Sequence, residues 1–176
     1  MSEQAGRYQR TFSGMIGAML VLVVVVLGYA GLRALTRDNP ATPVLAVDYK
    51  TVLTGARAHA AFPVLAPPRL RSGWKATSVS FTPKPDEHWH LGCLTDVGRY
   101  VGIEQGNQSA GDLLGRYVAA GRVRGPAVTV HGRGWTTYTA GDGDRAMVAK
   151  VGGSTVLVVG HDVPPSELTG FVASLR

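Results

Sequence analysis

Two kinds of hydrophobic pattern divide the chain. Residues 11–32 run for 22 positions without a charged side chain, centred on Leu20-Val21-Leu22-Val23-Val24-Val25-Val26-Leu27. No polar stripe recurs at each turn, so the stretch does not describe the amphipathic helix of a water-soluble core. As a helix it would be about 33 Å long, enough to cross a hydrocarbon layer of roughly 30 Å. Its valines disfavour helix in water. In lipid the cost of unpaired backbone groups enforces helix regardless. The pattern predicts a transmembrane helix at 11–32, a short tail at 1–10 and an extended linker at 33–47. Pro40 and Pro43 in that linker turn their predecessors away from helix.

Beyond the linker the hydrophobic spacing shortens. A weak helix is predicted over 48–61, stopped by Pro63, followed by an irregular Leu65-Ala66-Pro67-Pro68. Alternation and turn residues then predict strands at 74–81, 88–95 and 100–105, with Pro83-Lys84-Pro85 and Asp96-Val97-Gly98 as turns. Ser109, with Asp112 three residues on, opens a helix to about Ala120 that Gly121 and Gly125-Pro126 stop. Four more strands follow at 127–131, 135–139, 145–151 and 155–159, with Gly141-Asp142-Gly143 and Gly152-Gly153 as hairpin turns. Pro164-Pro165-Ser166-Glu167 opens a last helix whose Leu168, Phe171, Val172 and Leu175 share a face. A shift of 54 positions lays Val97-Gly98 on Val151-Gly152 and Gly106 on Gly160. It also lays Leu114, Tyr117, Val118 and Ala119 on Leu168, Phe171, Val172 and Ala173, so one β-β-β-α unit could be written twice. The expected fold is α+β: over 48–176, an antiparallel sheet with its helices packed on one face.

Composition sharpens the membrane reading. Charged residues make up 17% of the chain, against roughly 25% in soluble domains. The net charge of +6 is partly local, since Arg7, Arg10, Arg33 and Arg37 flank the apolar segment. From Ala41 onward 14 basic and 10 acidic side chains leave +4, spread along the chain. No basic run and no alternation of aromatic with basic residues appears, so no nucleic-acid partner is expected. Two arginines stand on each side of the span, so charge counting does not orient it. The short basic tail resembles the n-region of a signal sequence, which puts the N-terminus in the cytoplasm and the domain outside it. Gly28-Tyr29-Ala30 is a small-x-small site at which cleavage would release the domain. Cys93 stands alone, which excludes an internal disulfide and a cysteine zinc cluster. It reads as a buried apolar side chain.

His88-Trp89-His90 is the sharpest chemical feature. Two strand positions apart, both imidazoles would point to one side and could share a metal ion. A third ligand would come from His131, His161, Asp86 or Glu87. The alternative is two histidines on a solvent face with Trp89 in the core. Gly132-Arg133-Gly134-Trp135 lacks the lysine and the following helix of a phosphate loop, and Asp142-Gly143-Asp144 lacks the further ligands of a calcium loop; both read as turns. No Gly-x-Ser-x-Gly elbow occurs, and Glu104 and Asp96 are carboxylates of unfixed geometry. No catalytic, cofactor-binding or metal residue is therefore assigned. Trp74, Trp89, Tyr100, Trp135 and Tyr138 are the candidate interaction surface, because aromatic side chains dominate interface hot spots.

Leu91-Gly92-Cys93-Leu94-Thr95, Tyr100-Val101-Gly102-Ile103-Glu104-Gln105 and the closing Val158-Val159-Gly160, Glu167-Leu168 and Ala173-Ser174-Leu175 form a pattern. So does Gly73-Trp74 before the first strand. With them the chain resembles, over nearly its whole length, the actinobacterial family called domain of unknown function 4245. The resemblance implies a basic tail, one membrane span and an envelope domain without an assigned activity. The function expected is that of a non-enzymatic, single-pass module of the cell envelope that binds a partner protein or envelope component, without a cofactor. The alternatives are a carrier or sensor of an apolar ligand, requiring a cavity of at least about 300 Å³, and a metal-dependent hydrolase built on His88 and His90.

Overall fold

The computed structural model describes Met19, residues 22–29 and residues 45–176. The chain divides into two units, 1–44 and 45–176. In the first, residues 22–29 are helical; the rest of the expected span, the tail at 1–10 and the linker up to residue 44 lie outside the described residues. Among the described residues no helix is long and apolar enough to cross a membrane.

In the second unit Asp48 opens helix α1 (Tyr49–His59) by accepting from the Lys50 amide. Tyr49, Leu53 and Ala56, spaced four and three apart, form its buried stripe. Strands β1 (Lys75–Thr82), β2 (His88–Leu94) and β3 (Tyr100–Gly106) follow as a meander. The capping box of Ser109 and Asp112 then starts α2 (Ala110–Tyr117). A second meander comprises β4 (Val123–Val130), β5 (Arg133–Thr139), β6 (Asp144–Val151) and β7 (Ser154–His161), and α3 (Pro165–Ser174) closes the domain. The seven strands form one antiparallel sheet in the order β1-β2-β3-β7-β6-β5-β4. Gly125-Pro126, expected to stop a helix, instead sits at an irregularity of β4 on the open edge, where a missing amide costs no ladder bond.

The helices do not share one face of the sheet. α1 and α3 cover the face bearing Trp89, Leu91, Cys93, Ile103, Met147, Val156 and Val158. α2 covers the other face through Leu113, Leu114 and Val118, against Ala146, Val148, Leu157 and Val159. The topology explains the difference. β3 lies mid-sheet and β4 at the far edge, so the connection between them crosses the sheet, and α2 makes the crossing over a face still in need of cover. The uninterrupted Val156-Leu157-Val158-Val159 of β7 is the run of a strand buried on both sides.

β1-β2-β3-α2 and β5-β6-β7-α3 repeat one order of elements, but the register does not fit their alignment at a shift of 54. The shift equates Ile103 with Leu157, yet Ile103 pairs with Val158. Ile103 and Leu157 therefore point to opposite faces, the inversion that a one-residue slip produces.

Residues 60–68 run across the α1/α3 face with Phe62 and Val64 to Pro67 buried, where backbone groups need protein partners. Glu87 Oε1 accepts from the Ala61 amide, and Gln105 accepts from the Leu65 amide while donating to Pro63 O and Ser154 Oγ. Trp89 Nε1 donates to Leu65 O and the Tyr49 hydroxyl to Pro67 O. These buried polar side chains are scaffolding for a loop.

Candidate functional site

One cluster of polar side chains bonded to one another lies on the α2 face, over β1–β3. α2 lies chiefly against β7 and its neighbour β6, and meets the β1–β3 part of that face at its C-terminal end, where Tyr117 stacks on His88. There the register sets His90 opposite Glu104, and His88 two residues along the same strand points the same way. Both imidazoles turn to that carboxylate. His88 Nε2 lies 2.7 Å from Glu104 Oε2 and His90 Nδ1 lies 2.6 Å from Oε1. Glu104 is completely buried beneath them, while the histidine side chains remain about one-fifth exposed.

Burial pushes the Glu104 carboxyl up, but hydrogen bonds and charge from His88 and His90 outweigh it and hold the group below its ordinary value. His88 is raised, chiefly by its hydrogen bond to Glu104, against the opposing effect of burial. An ionised carboxylate only accepts, so both facing nitrogens carry protons. That fixes His90: with Nδ1–H given to Glu104, Nε2 is the nitrogen left to face Ser78 Oγ, 2.8 Å away. His88 presents Nδ1 to Gln108 Oε1 at 3.4 Å and stacks on Tyr117 of α2, with ring centroids 6.3 Å apart.

Ser78 reaches this face through an irregularity in β1. Ala76 pairs with Cys93 of the core face, but Ser78 pairs with Gly92, and the register shifts between them. The extra residue, Thr77, reverses the alternation and aims Ser78 at His90. Gly92 makes room for it: a Cβ there would strike Ser78 Oγ, and one on Gly102 would strike the Tyr100 hydroxyl. The Tyr100 ring thus lies over two glycines beside Ser78. Burial, helped by the charge of Glu104, pushes its hydroxyl up to about 12, so the group stays a donor.

With this geometry in place, one comparison decides the family. The model of the family described as protein of unknown function, DUF4245, matches residues 7–175. The chain belongs to DUF4245. No curated protein and no solved structure matches it.

Within this DUF4245 chain the expected aromatic surface divides in two. Trp74 stacks on Phe171, Trp89 bonds to Leu65 O and Trp135 is packed in the same core, so the three tryptophans have almost no surface to offer a partner. Tyr100 and Tyr138 are partly exposed. His88 and His90 do share a face, as the spacing requires. Of the groups named as their possible third partner, His131 bonds to Ala173 O in the β4–β5 turn, His161 faces Asp144 at the end of β7, and Glu87 lies on the opposite face. Asp142, Asp144 and His161 do come within 4.8 Å of one another, but Asp144 is already engaged by the Ala119 amide and by His161. Cys93 is completely buried, and burial pushes its thiol up to about 12. A cleft of about 490 Å³ opens beside α3, where the polar His131, Arg133 and Arg176 face Leu65, Val130 and Leu175.

Sequence reasoning passed over Ser78 and the partnership of Glu104 with the histidines. Both left a signal. Closing the β2–β3 hairpin symmetrically about Val97, within the expected Asp96-Val97-Gly98 turn, sets residue 90 opposite 104. Into and along β1 the large or apolar residues Trp74 and Ala76 give way to Val79 and Phe81, a step of three that marks a bulge.

Proposed function

We propose that this chain is a membrane-tethered module outside the cytoplasm that binds a protein partner or envelope component on the largely uncovered β1–β3 half of its sheet. The observation that carries the reading is the uneven cover of the α2 face. One half is sealed by a helix over Leu157 and Val159. The other presents His88, His90 and Tyr100 over a buried, ionised carboxylate. A buried charge under an open surface is costly to maintain for stability alone, since apolar packing of similar volume often does as well or better. The tether rests on the 22 uncharged residues at 11–32. It gains support from the exposure of Leu22, Val24, Val25, Leu27 and Tyr29 on the described helix at 63–65%. Side chains of this kind are at ease in lipid rather than in water.

The test is position-dependent crosslinking in intact cells. A photo-reactive residue replacing Tyr100 should trap a discrete envelope species, and the same group at Val123, exposed on the far β4 edge, should not. Recovery of free monomer from both, or equal capture from both, overturns the reading.

A further inference from the structure

The sequence offers no serine elbow, yet the sheet assembles the parts of an activated serine by another route. Ser78 Oγ, His90 Nε2, His90 Nδ1 and Glu104 Oε1 form one continuous line, with separations of 2.8 Å and 2.6 Å on either side of the ring. A nucleophile is recognised by a base within hydrogen-bond reach that a third group in turn orients. Both conditions hold here, with the three groups on three adjacent strands of the sheet. We propose that Ser78 is a nucleophile served by His90 as general base, and that it accepts the acyl group of a carboxylic ester.

Several features converge on this role rather than on idle surface polarity. The irregularity in β1 is what turns Ser78 out of the core and onto His90, and bulges recur beside active sites because they re-aim single side chains. Ser80 stands directly opposite His90 in the ladder, but Nε2 is engaged by Ser78 on the diagonal. Both Ser78 Oγ and the Tyr100 hydroxyl lie within 3.2 Å of the Cβ position that Gly92 leaves empty. Tyr100, kept protonated, is therefore a donor placed beside the point of attack, where oxyanion charge develops.

The chemistry balances without any further reagent. The Ser78 oxygen attacks the carbonyl carbon as His90 Nε2 takes the hydroxyl proton, and the tetrahedral oxyanion receives the Tyr100 O–H. The ester C–O bond breaks, the leaving alkoxide takes the proton from Nε2, and an acyl-serine and an alcohol result. Water attacks the acyl-serine by the same proton path and releases the acid. One oxyanion donor and a water-accessible face suit an ester rather than a less reactive amide. Glu104 touches no reacting atom and is a positioning residue, holding Nδ1–H so that Nε2 stays the acceptor.

This goes beyond the binding role proposed above and does not depend on the tether, so either can fail alone. The experiment treats the full-length chain, purified in mild detergent, with a fluorophosphonate probe; fluoride leaves as the Ser78 oxygen bonds to phosphorus. The expected result is one adduct per chain on the peptide bearing Ser78, formed faster than on the same chain unfolded in urea. Ser78→Ala should abolish it, Ser80→Ala should retain it, and His90→Gln and Tyr100→Phe should slow it at least about tenfold, in line with the usual worth of a general base or an oxyanion donor. For Glu104 the readout is the far-downfield imidazole N–H proton signal, which should persist in His88→Gln and vanish in Glu104→Gln. Circular dichroism of each variant separates loss of reactivity from loss of fold. If a variant does not fold, the mapped adduct on the wild type and its ratio to the unfolded control decide. Labelling no faster than in urea, an adduct on another residue, or an unchanged rate in a folded His90→Gln chain overturns the proposal.

Discussion

Glu104 carries the most consequential charge in the domain. A carboxylate removed from water is expensive unless its lone pairs are filled, and here two imidazole N–H groups fill them. The pairing makes stability depend on pH in a definite way. The Glu104 carboxyl is held below its ordinary 4.5, so its contribution is present above about pH 4.5 and disappears as pH falls through the lower, folded value. His88 is held above its ordinary 6.5, so its contribution is complete below about pH 6.5 and disappears as pH rises through the higher, folded value. Both are at full strength only between those limits. Urea unfolding of residues 45–176 from pH 3 to 9 should therefore show greatest stability between about pH 4.5 and 6.5. Glu104→Gln should flatten that maximum and cost about 1.5–3 kcal/mol there, the usual worth of hydrogen bonds to a charged group. A maximum that survives the substitution would place the pH dependence elsewhere.

Helix α2 is the element on which the sheet's second face depends. Its capping box starts it and Leu113, Leu114 and Val118 fasten it to Leu157 and Val159. Truncating Leu113, which is almost completely buried, should cost about 2–5 kcal/mol. It should also loosen Tyr117, the residue that stacks on His88, so the thermal midpoint of Leu113→Ala should fall and the His88 ring signals should shift in the NMR spectrum. A full-size loss of stability with unmoved His88 signals would uncouple α2 from the site. The start of α2 and the turns at Gly98 and Gly152-Gly153 were legible because Ser109, Asp112 and these glycines are local signals that act within a few residues, whereas the end of α2 at Tyr117 and the start of β4 at Val123 fell before the expected Ala120 and Ala127. Which face each helix takes is set by strand order, to which no local signal speaks. The unbroken apolar run of β7 was the one hint that both faces needed cover. The site was legible to the extent that His88 and His90 stand two apart. Its carboxylate and its serine come from strands 14 and 12 residues away, and finding them required the hairpin register and the bulge.

The tether proposed above requires the two units of the chain to obey different solvents. Residues 45–176 bury their tryptophans and the Val-rich β7 against their own helices, so this unit holds a core of its own and should fold without the rest. Residues 11–32 have no charge and no polar stripe to make water tolerable, and a helix of 22 residues would match the thickness of a bilayer core. Fractionating cells that produce the full-length chain should find it in the membrane pellet at its intact mass, resistant to high salt and alkaline carbonate and released by detergent. A chain begun at Leu45 should be soluble, with the same thermal midpoint as the detergent-extracted protein. Intact chain in the soluble fraction would remove the tether; a product shortened near Ala30 would show instead that the apolar segment is a cleaved signal. Salt resistance is the discriminating readout, because the +4 carried from Ala41 onward could hold a soluble protein to anionic headgroups, but that attraction is screened within about 3 Å at 1 M ionic strength.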